Sequence, residues 1–331
     1  MDSHTLVQTN VVCASACGFA LNGLLLFLLA RHTPTAMRSY ARVMRVHCVS
    51  DVLYDLGVLA TGVHPVPLGG KVFLVLQGFY LHADAWWGRW LFSWYFWEIL
   101  IAIALLPIDF FYRFRSVCHN VELSTRTLGW LVFVAYFVTW LHAFPNSLNY
   151  LQVGPRAEAA DFTRELERHA EFRTARGVPS FGVTVLGGTK ALSNFLFILA
   201  LNCFVVVVIA YTSLRIRAAL RSNAHTVRNA KAAELQRQVT RILVLQAVLP
   251  LVVICLPTVA VVSLALARVD VPRAGAVAVA VLSWLSAVKP AATIAVVPRY
   301  RAFVRSLFCR SATKTPAPTS AFSTVDQEAL Y

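Results

Sequence analysis

Seven stretches of roughly twenty mostly apolar residues divide this chain, and a run of that length, coiled as a helix rising about 1.5 Å per residue, crosses a hydrocarbon layer. They are Val11–Ala30, Val43–Val63, Trp90–Phe111, Leu128–Leu148, Ala191–Tyr211, Ile242–Ala267 and Ala274–Val297. Another apolar run, Val72–Tyr80, has only nine residues and is placed at the outer interface. Composition closes the soluble alternatives. Charged residues are 14% of the 331 and apolar residues 58%, whereas a soluble domain carries about 25% charged residues to make its polar skin. The expected fold is an all-α membrane protein, a bundle of seven transmembrane helices. No internal repeat is evident, which sets the chain apart from the duplicated transporters.

Lys and Arg orient the bundle, because they accumulate in cytoplasmic loops. The segments after spans one, three, five and seven hold 18 of them, and the opposite set, with the N-terminus, holds 10. Counting acids as well, the first side is net +14 and the other net +2. The N-terminus is therefore expected outside and the C-terminus in the cytoplasm. The basic residues lie between apolar runs, so the net charge marks orientation rather than a nucleic-acid partner. The N-terminus lacks a charged n-region and a small-residue cleavage site, so the first run reads as a retained signal-anchor. No cysteine falls in an outer loop, and no structural disulfide is expected.

The segments between spans differ in kind. In the second outer loop, Asn149–Lys190, the four-residue recurrence of Phe162, Leu166 and Ala170 predicts a short amphipathic helix over the mouth of the bundle. Thr212–Arg241 is basic and rich in helix formers, which predicts that spans five and six continue as helices into the cytoplasm. Phe303, Val304, Leu307 and Phe308 share a helical face flanked by arginines, the pattern of an interfacial helix over 298–310. Cys309 at its end is a candidate for lipidation. Residues 311–331 read as a disordered cytoplasmic tail.

No phosphate loop, zinc-ligand spacing, nucleophile elbow or dinucleotide fingerprint occurs, so no catalytic residue, metal or cofactor is assigned. The informative residues are charges inside spans, which are expensive in hydrocarbon. Asp109 and Arg113 stand four apart at the inner end of span three, where an acid–base pair can hold a closed state. Glu98 lies beneath Trp94 and Trp97 on the same span, so its carboxylate under an aromatic shelf is a candidate floor for a ligand pocket, with Trp284 a further candidate. Lys289 and Asp51 are each eight residues from the inner ends of spans seven and two, so their depths match and they are expected to pair. Pro250 and Pro257 permit span six to kink.

These blocks carry a resemblance. Arg31-His32-Thr33-Pro34-Thr35-Ala36-Met37-Arg38-Ser39-Tyr40, followed by Ser50-Asp51-Val52-Leu53-Tyr54, is similar to the Thr-Pro…Met-x-Ser-Tyr signature of nematode serpentine chemoreceptors, the Str superfamily with its Srd-like branch. Phe111-Tyr112-Arg113-Phe114 resembles the family's Tyr-Arg-Tyr. Lys289-Pro290…Pro298-Arg299-Tyr300-Arg301 resembles its Asn-Pro…Pro-Tyr-Arg ending, with Lys289 in place of Asn and Arg299 intervening. The resemblance implies a G-protein-coupled receptor in the plasma membrane of the sensory cilium, answering small environmental molecules. It places Tyr112 and Arg113 at the coupling end of span three and Pro290, Tyr300 and Arg301 in the closing motif of span seven. The basic inner surface, with Arg215 and Arg217, is expected to meet the acidic partner, a heterotrimeric G protein. The alternative from the residues themselves is a proton- or ion-coupled transporter relaying through Asp51, Asp55, Glu98 and Lys289.

Overall fold

The computed structural model describes residues 3–33, 38–79, 82, 85–119, 121–150, 157–169, 172, 177–185, 189–223, 252–254 and 256–312. The long helices are α1 (Ser3–Arg31), α2 (Arg38–Thr61), α3 (Ala85–Ala104), α4 (Leu106–Cys118), α5 (Thr125–Tyr150) and α7 (Thr189–Asn223), with α6 (Ala157–Glu167) between the last two. They are followed by α8 (Val252–Leu266), α9 (Pro272–Leu282), α10 (Leu285–Val296) and α11 (Pro298–Ala312). Among the described residues five helical segments are long and apolar enough to cross a membrane: Thr5–Arg31, Trp86–Cys118, Thr125–Pro145, Leu192–Ala219 and Arg273–Val296. The protein is a multi-helix membrane-spanning bundle. The helices outrun the apolar runs that predict them because hydrocarbon thickness limits the apolar stretch, whereas a helix continues through the polar interface. The turns expected of Thr212–Arg241 beyond Asn223, and Pro250, lie outside the described residues.

Two spans that contain a proline are broken. Span three turns at Leu105, two residues before Pro107, which lacks an N–H to bond back along the helix. Span seven breaks at Ser283–Trp284 between α9 and α10, with Pro290 further on. In a membrane the carbonyls freed by such breaks need other donors. Asn10 Nδ2 donates to Ala280 O at 3.2 Å, the Tyr54 hydroxyl to Leu282 O at 3.1 Å, and Asn22 Nδ2 to Ser286 O at 3.0 Å. Ser286 is four residues before Pro290, so Asn22 supplies the donor that the proline cannot. At the break, α1 and α2 thus supply donors that the span's own ladder lacks.

One end of the all-α bundle carries a small sheet. The short apolar run after span two begins in the middle strand of a three-stranded antiparallel sheet, β1 (His64–Leu68), β2 (Lys71–Val75) and β3 (Phe181–Val185), in the order β1-β2-β3. Val75 pairs with His64 on one side and Phe181 on the other. Every residue of β2 after Lys71 is buried because both sheet faces are covered. Val72 and Leu74 pack on Leu91, Phe92 and Tyr95 of α3, whereas Phe73 and Val75 pack on Leu166 of α6. The helix foreseen in the second loop is α6. Its Phe162 and Leu166 close over the sheet, and Lys71 Nζ bonds Glu165 at 2.8 Å, while Ala170 lies outside the described residues.

Pro65 and Pro67 fit β1 because it is an edge strand, where a missing N–H costs no ladder bond. On its free side β1 meets α9 so closely that a Cβ on Gly275 would overlap the Pro65 carbonyl oxygen. Gly275→Leu is therefore expected to destabilise the protein by overpacking, about 1–3 kcal/mol or more, read as a fall in the thermal unfolding midpoint in detergent. An unchanged midpoint would contradict this contact.

Candidate functional site

Helix α2 is less apolar than its neighbours because its inward face carries three polar side chains one turn apart, His47, Asp51 and Asp55. Each ties α2 to another helix. Lys289 of α10 donates from Nζ to Asp51 Oδ1, with both side chains buried. The Ser286 hydroxyl donates to Asp55 Oδ1 at 2.6 Å, and Gly18 of α1 leaves the space that the Asp55 carboxylate fills. His47 Nε2 lies 2.8 Å from Asp109 Oδ1 on α4. Asn22, His47, Asp51, Asp109, Lys289 and Pro290 surround an interior void of about 10 Å³, room for about one water. Burying these charges singly would cost several kcal/mol, and pairing offsets much of it.

The sequence places Asp109 and Arg113 four apart, and both sit on α4; across to α2, Asp109 meets His47. Arg113 is buried at the end of the same helix beside Tyr112. His47 was missed, and its i, i+4, i+8 spacing with Asp51 and Asp55 was the signal that could have found it.

At the end of the bundle away from the sheet, the separate sequence blocks converge. Tyr40 and Tyr112 have ring centroids 6.1 Å apart, and both belong to one buried cluster with Tyr300. The Tyr300 hydroxyl is 2.8 Å from Thr33 Oγ1, which fastens α11 to the end of α1. Burial raises the Tyr300 phenol above its ordinary range and the Thr33 hydrogen bond lowers it less, so it acts as a neutral hydrogen-bonding group. Phe303 of α11 packs against His32 at 4.2 Å between centroids. Arg215, Arg217 and Arg301 are exposed around this end. The Cys309 side chain lies outside the described residues.

Near the sheet, a cavity of about 710 Å³ lies between α2, α3 and α5, walled by Trp87, Trp90, Trp94, Trp97, Trp140 and Phe144. Trp94 donates its indole N–H to Glu98 Oε1 at 3.0 Å, and Trp97 donates to Tyr136 O at 3.1 Å and Thr139 Oγ1 at 3.2 Å. Glu98 thus sits behind Trp94 rather than forming the cavity floor. Trp284 is elsewhere, at the α9–α10 break, donating to Asn10 Oδ1 at 3.1 Å. Among the described residues no group of three or more His, Cys, Asp or Glu is placed to hold a metal ion.

Proline-broken apolar helices, charges paired across three spans and a cavity near one end define a polar-cored, multi-helix membrane bundle. The chain superposes on squid rhodopsin with a TM-score of 0.65 at 12% identity, covering 94% of this chain and 86% of that one. No curated protein matches it in sequence. Residues 7–305 match the family of serpentine type 7TM GPCR chemoreceptors, Str, and the chain belongs to that family. It is a multi-pass plasma-membrane receptor of the G-protein-coupled, chemosensory signalling class, which sets the transporter reading aside.

Proposed function

We propose that the chain crosses the plasma membrane of a sensory cilium seven times, with the sheet end outside and α11 in the cytoplasm. A small environmental molecule binds in the outer half, and the inner face opens to a heterotrimeric G protein. The excess of 18 Lys and Arg over 10 between the two sets of loops supports the orientation. One observation carries the rest: the span formed by α3 and α4 lines the tryptophan cavity at one end and carries Tyr112 and Arg113 at the other. Between them, α4 is tied to α2 by Asp109 and His47. A ligand acts by favouring the arrangement in which this tie is open, since tight binding without differential affinity shifts nothing. Arg215, Arg217 and Arg301 face the acidic partner or anionic lipid, Arg113 joins them when the inner face opens, and Cys309 carries a lipid anchor. Of the candidates Trp94, Trp97, Glu98 and Trp284, the cavity between spans two, three and four favours Trp94 and Trp97 as ligand contacts.

The test is a screen of small volatile and water-soluble compounds on cells carrying the receptor, reporting cyclic nucleotide and calcium, with tags reading which terminus is exposed. For a ligand so found, Trp94→Ala is expected to lower potency roughly tenfold, about 1.5 kcal/mol, at unchanged surface expression. Equal potency in that variant would remove the cavity from the ligand site.

A further inference from the structure

The chemistry of the tryptophan cavity specifies what fits in it and from where. Of the four tryptophans on its α3 wall, the two deepest along the helix have their indole N–H groups engaged within the protein, Trp94 by Glu98 and Trp97 by Tyr136 and Thr139. Ser93, which also lines it, donates its hydroxyl to Arg89 O at 2.7 Å. The donors of these three side chains are thus used within the protein, and apart from His82 the rest of the lining is aromatic ring or the hydrocarbon of Ala60, Leu91 and Ala143. About 710 Å³ suits one small organic molecule.

A second, independent feature leads to the same place. Along α5 the rings of Trp130, Phe133, Phe137, Trp140 and Phe144 follow one another at 5.6, 5.8, 6.4 and 5.5 Å between centroids, and Phe144 meets Trp90 at 4.5 Å. The three contacts from Phe133 to Phe144 are stacked, with interplanar angles of 11°, 26° and 12°. Trp130 and Phe133 are 67% and 56% exposed, so this stripe is on the outer surface of an apolar span, where lipid lies. Its last members, Trp140 and Phe144, are walls of the cavity. A continuous aromatic track thus runs over roughly 21 Å of the lipid face, fourteen residues at 1.5 Å each, and ends inside the cavity.

We propose that the cavity binds an uncharged, apolar ring compound that reaches it from the bilayer, along the aromatic face of α5 and between α3 and α5. The proposal deepens the ligand-site reading above and rests on it. The receptor then senses what has dissolved in its membrane, and compounds confined to water by a fixed charge are excluded.

The test uses the full chain in phosphatidylcholine vesicles, with N-phenyl-1-naphthylamine as the probe and energy transfer from tryptophan as the readout. The expected result is a saturable signal above the linear background of partitioning. Ala143→Trp on α5 and Ala60→Phe on α2, which fill the cavity from opposite walls, are each expected to weaken it at least tenfold. Two fillers are used so that a folding defect in one does not decide the outcome. The anionic analogue 1-anilinonaphthalene-8-sulfonate is expected to compete at least tenfold more weakly. The absence of a saturable signal, a signal indifferent to both fillers, or equal competition by the sulfonate would overturn the proposal. Guanine-nucleotide exchange on a G protein in the same vesicles keeps the two readings apart. Saturable, filler-sensitive binding with no apolar compound ever altering exchange would sink the signalling role of the cavity and leave its binding chemistry standing.

Discussion

Lys289→Asp and Asp51→Lys, made singly, are each expected to remove most of the receptor from the cell surface, and the double exchange is expected to restore it. Each single change places two like charges where the structure has a buried pair joining α10 to α2. Breaking such a pair costs about 3–5 kcal/mol because the remaining charge is left buried without its counterion. That is a large part of the roughly 5–15 kcal/mol by which a folded protein is stable. The double variant keeps both charges and their separation, and the Asp55–Ser286 contact one turn away is untouched. Surface staining of a tagged receptor reads the result. Harmless single variants, or a double variant no better than their sum, would show that the pair does not hold these helices together.

Asp109→Asn is expected to raise basal signalling about tenfold or more, and His47→Phe to do the same. The two side chains lie 2.8 Å apart and join α2 to α4 near the end that carries Tyr112 and Arg113. A hydrogen bond to a charged group contributes about 1.5–3 kcal/mol, and each 1.4 kcal/mol moves a two-state equilibrium tenfold. Losing it favours the open inner face without any ligand. Cyclic-nucleotide or calcium output normalised to surface receptor measures this. If the Asn variant is as quiet as the parent, Asp109 has no part in restraining the closed state.

The apolar runs made the helices legible because burial in hydrocarbon leaves the backbone few alternatives. Helix α2 is the instructive case: its polar residues lower its mean hydropathy, yet they are the ones that hold α4 and α10. Equal depth from the inner surface was enough to bring Lys289 and Asp51 within reach, since a helix converts residue number directly into height. Spacing along one helix says nothing about which residues of a facing helix are in reach, which is why Asp109 was legible beside Arg113 but not beside His47 on α2. The run Val72–Tyr80 was legible as apolar but not as strand. A segment covered on both faces loses the alternation that marks a half-buried strand, and its partner β3 lies more than a hundred residues away. The cavity was half legible. Tryptophans along α3 showed in the sequence, whereas Trp140 and Phe144 are brought to them only by the packing of α5.

The central claim is that this receptor passes a rearrangement of α4 to a G protein at the α11 end of the bundle. Guanine-nucleotide exchange on a purified heterotrimer tests it most directly, with the full chain in vesicles and three forms compared: parent, Asp109→Asn and Arg113→Ala. Because the Asn change is expected to open the inner face by itself, no ligand has to be known. The account predicts faster exchange with Asp109→Asn than with the parent, and none above background with Arg113→Ala at equal protein. Exchange at background for all three forms, across the G-protein classes and with proton-driven charge movement in the same vesicles, would contradict it.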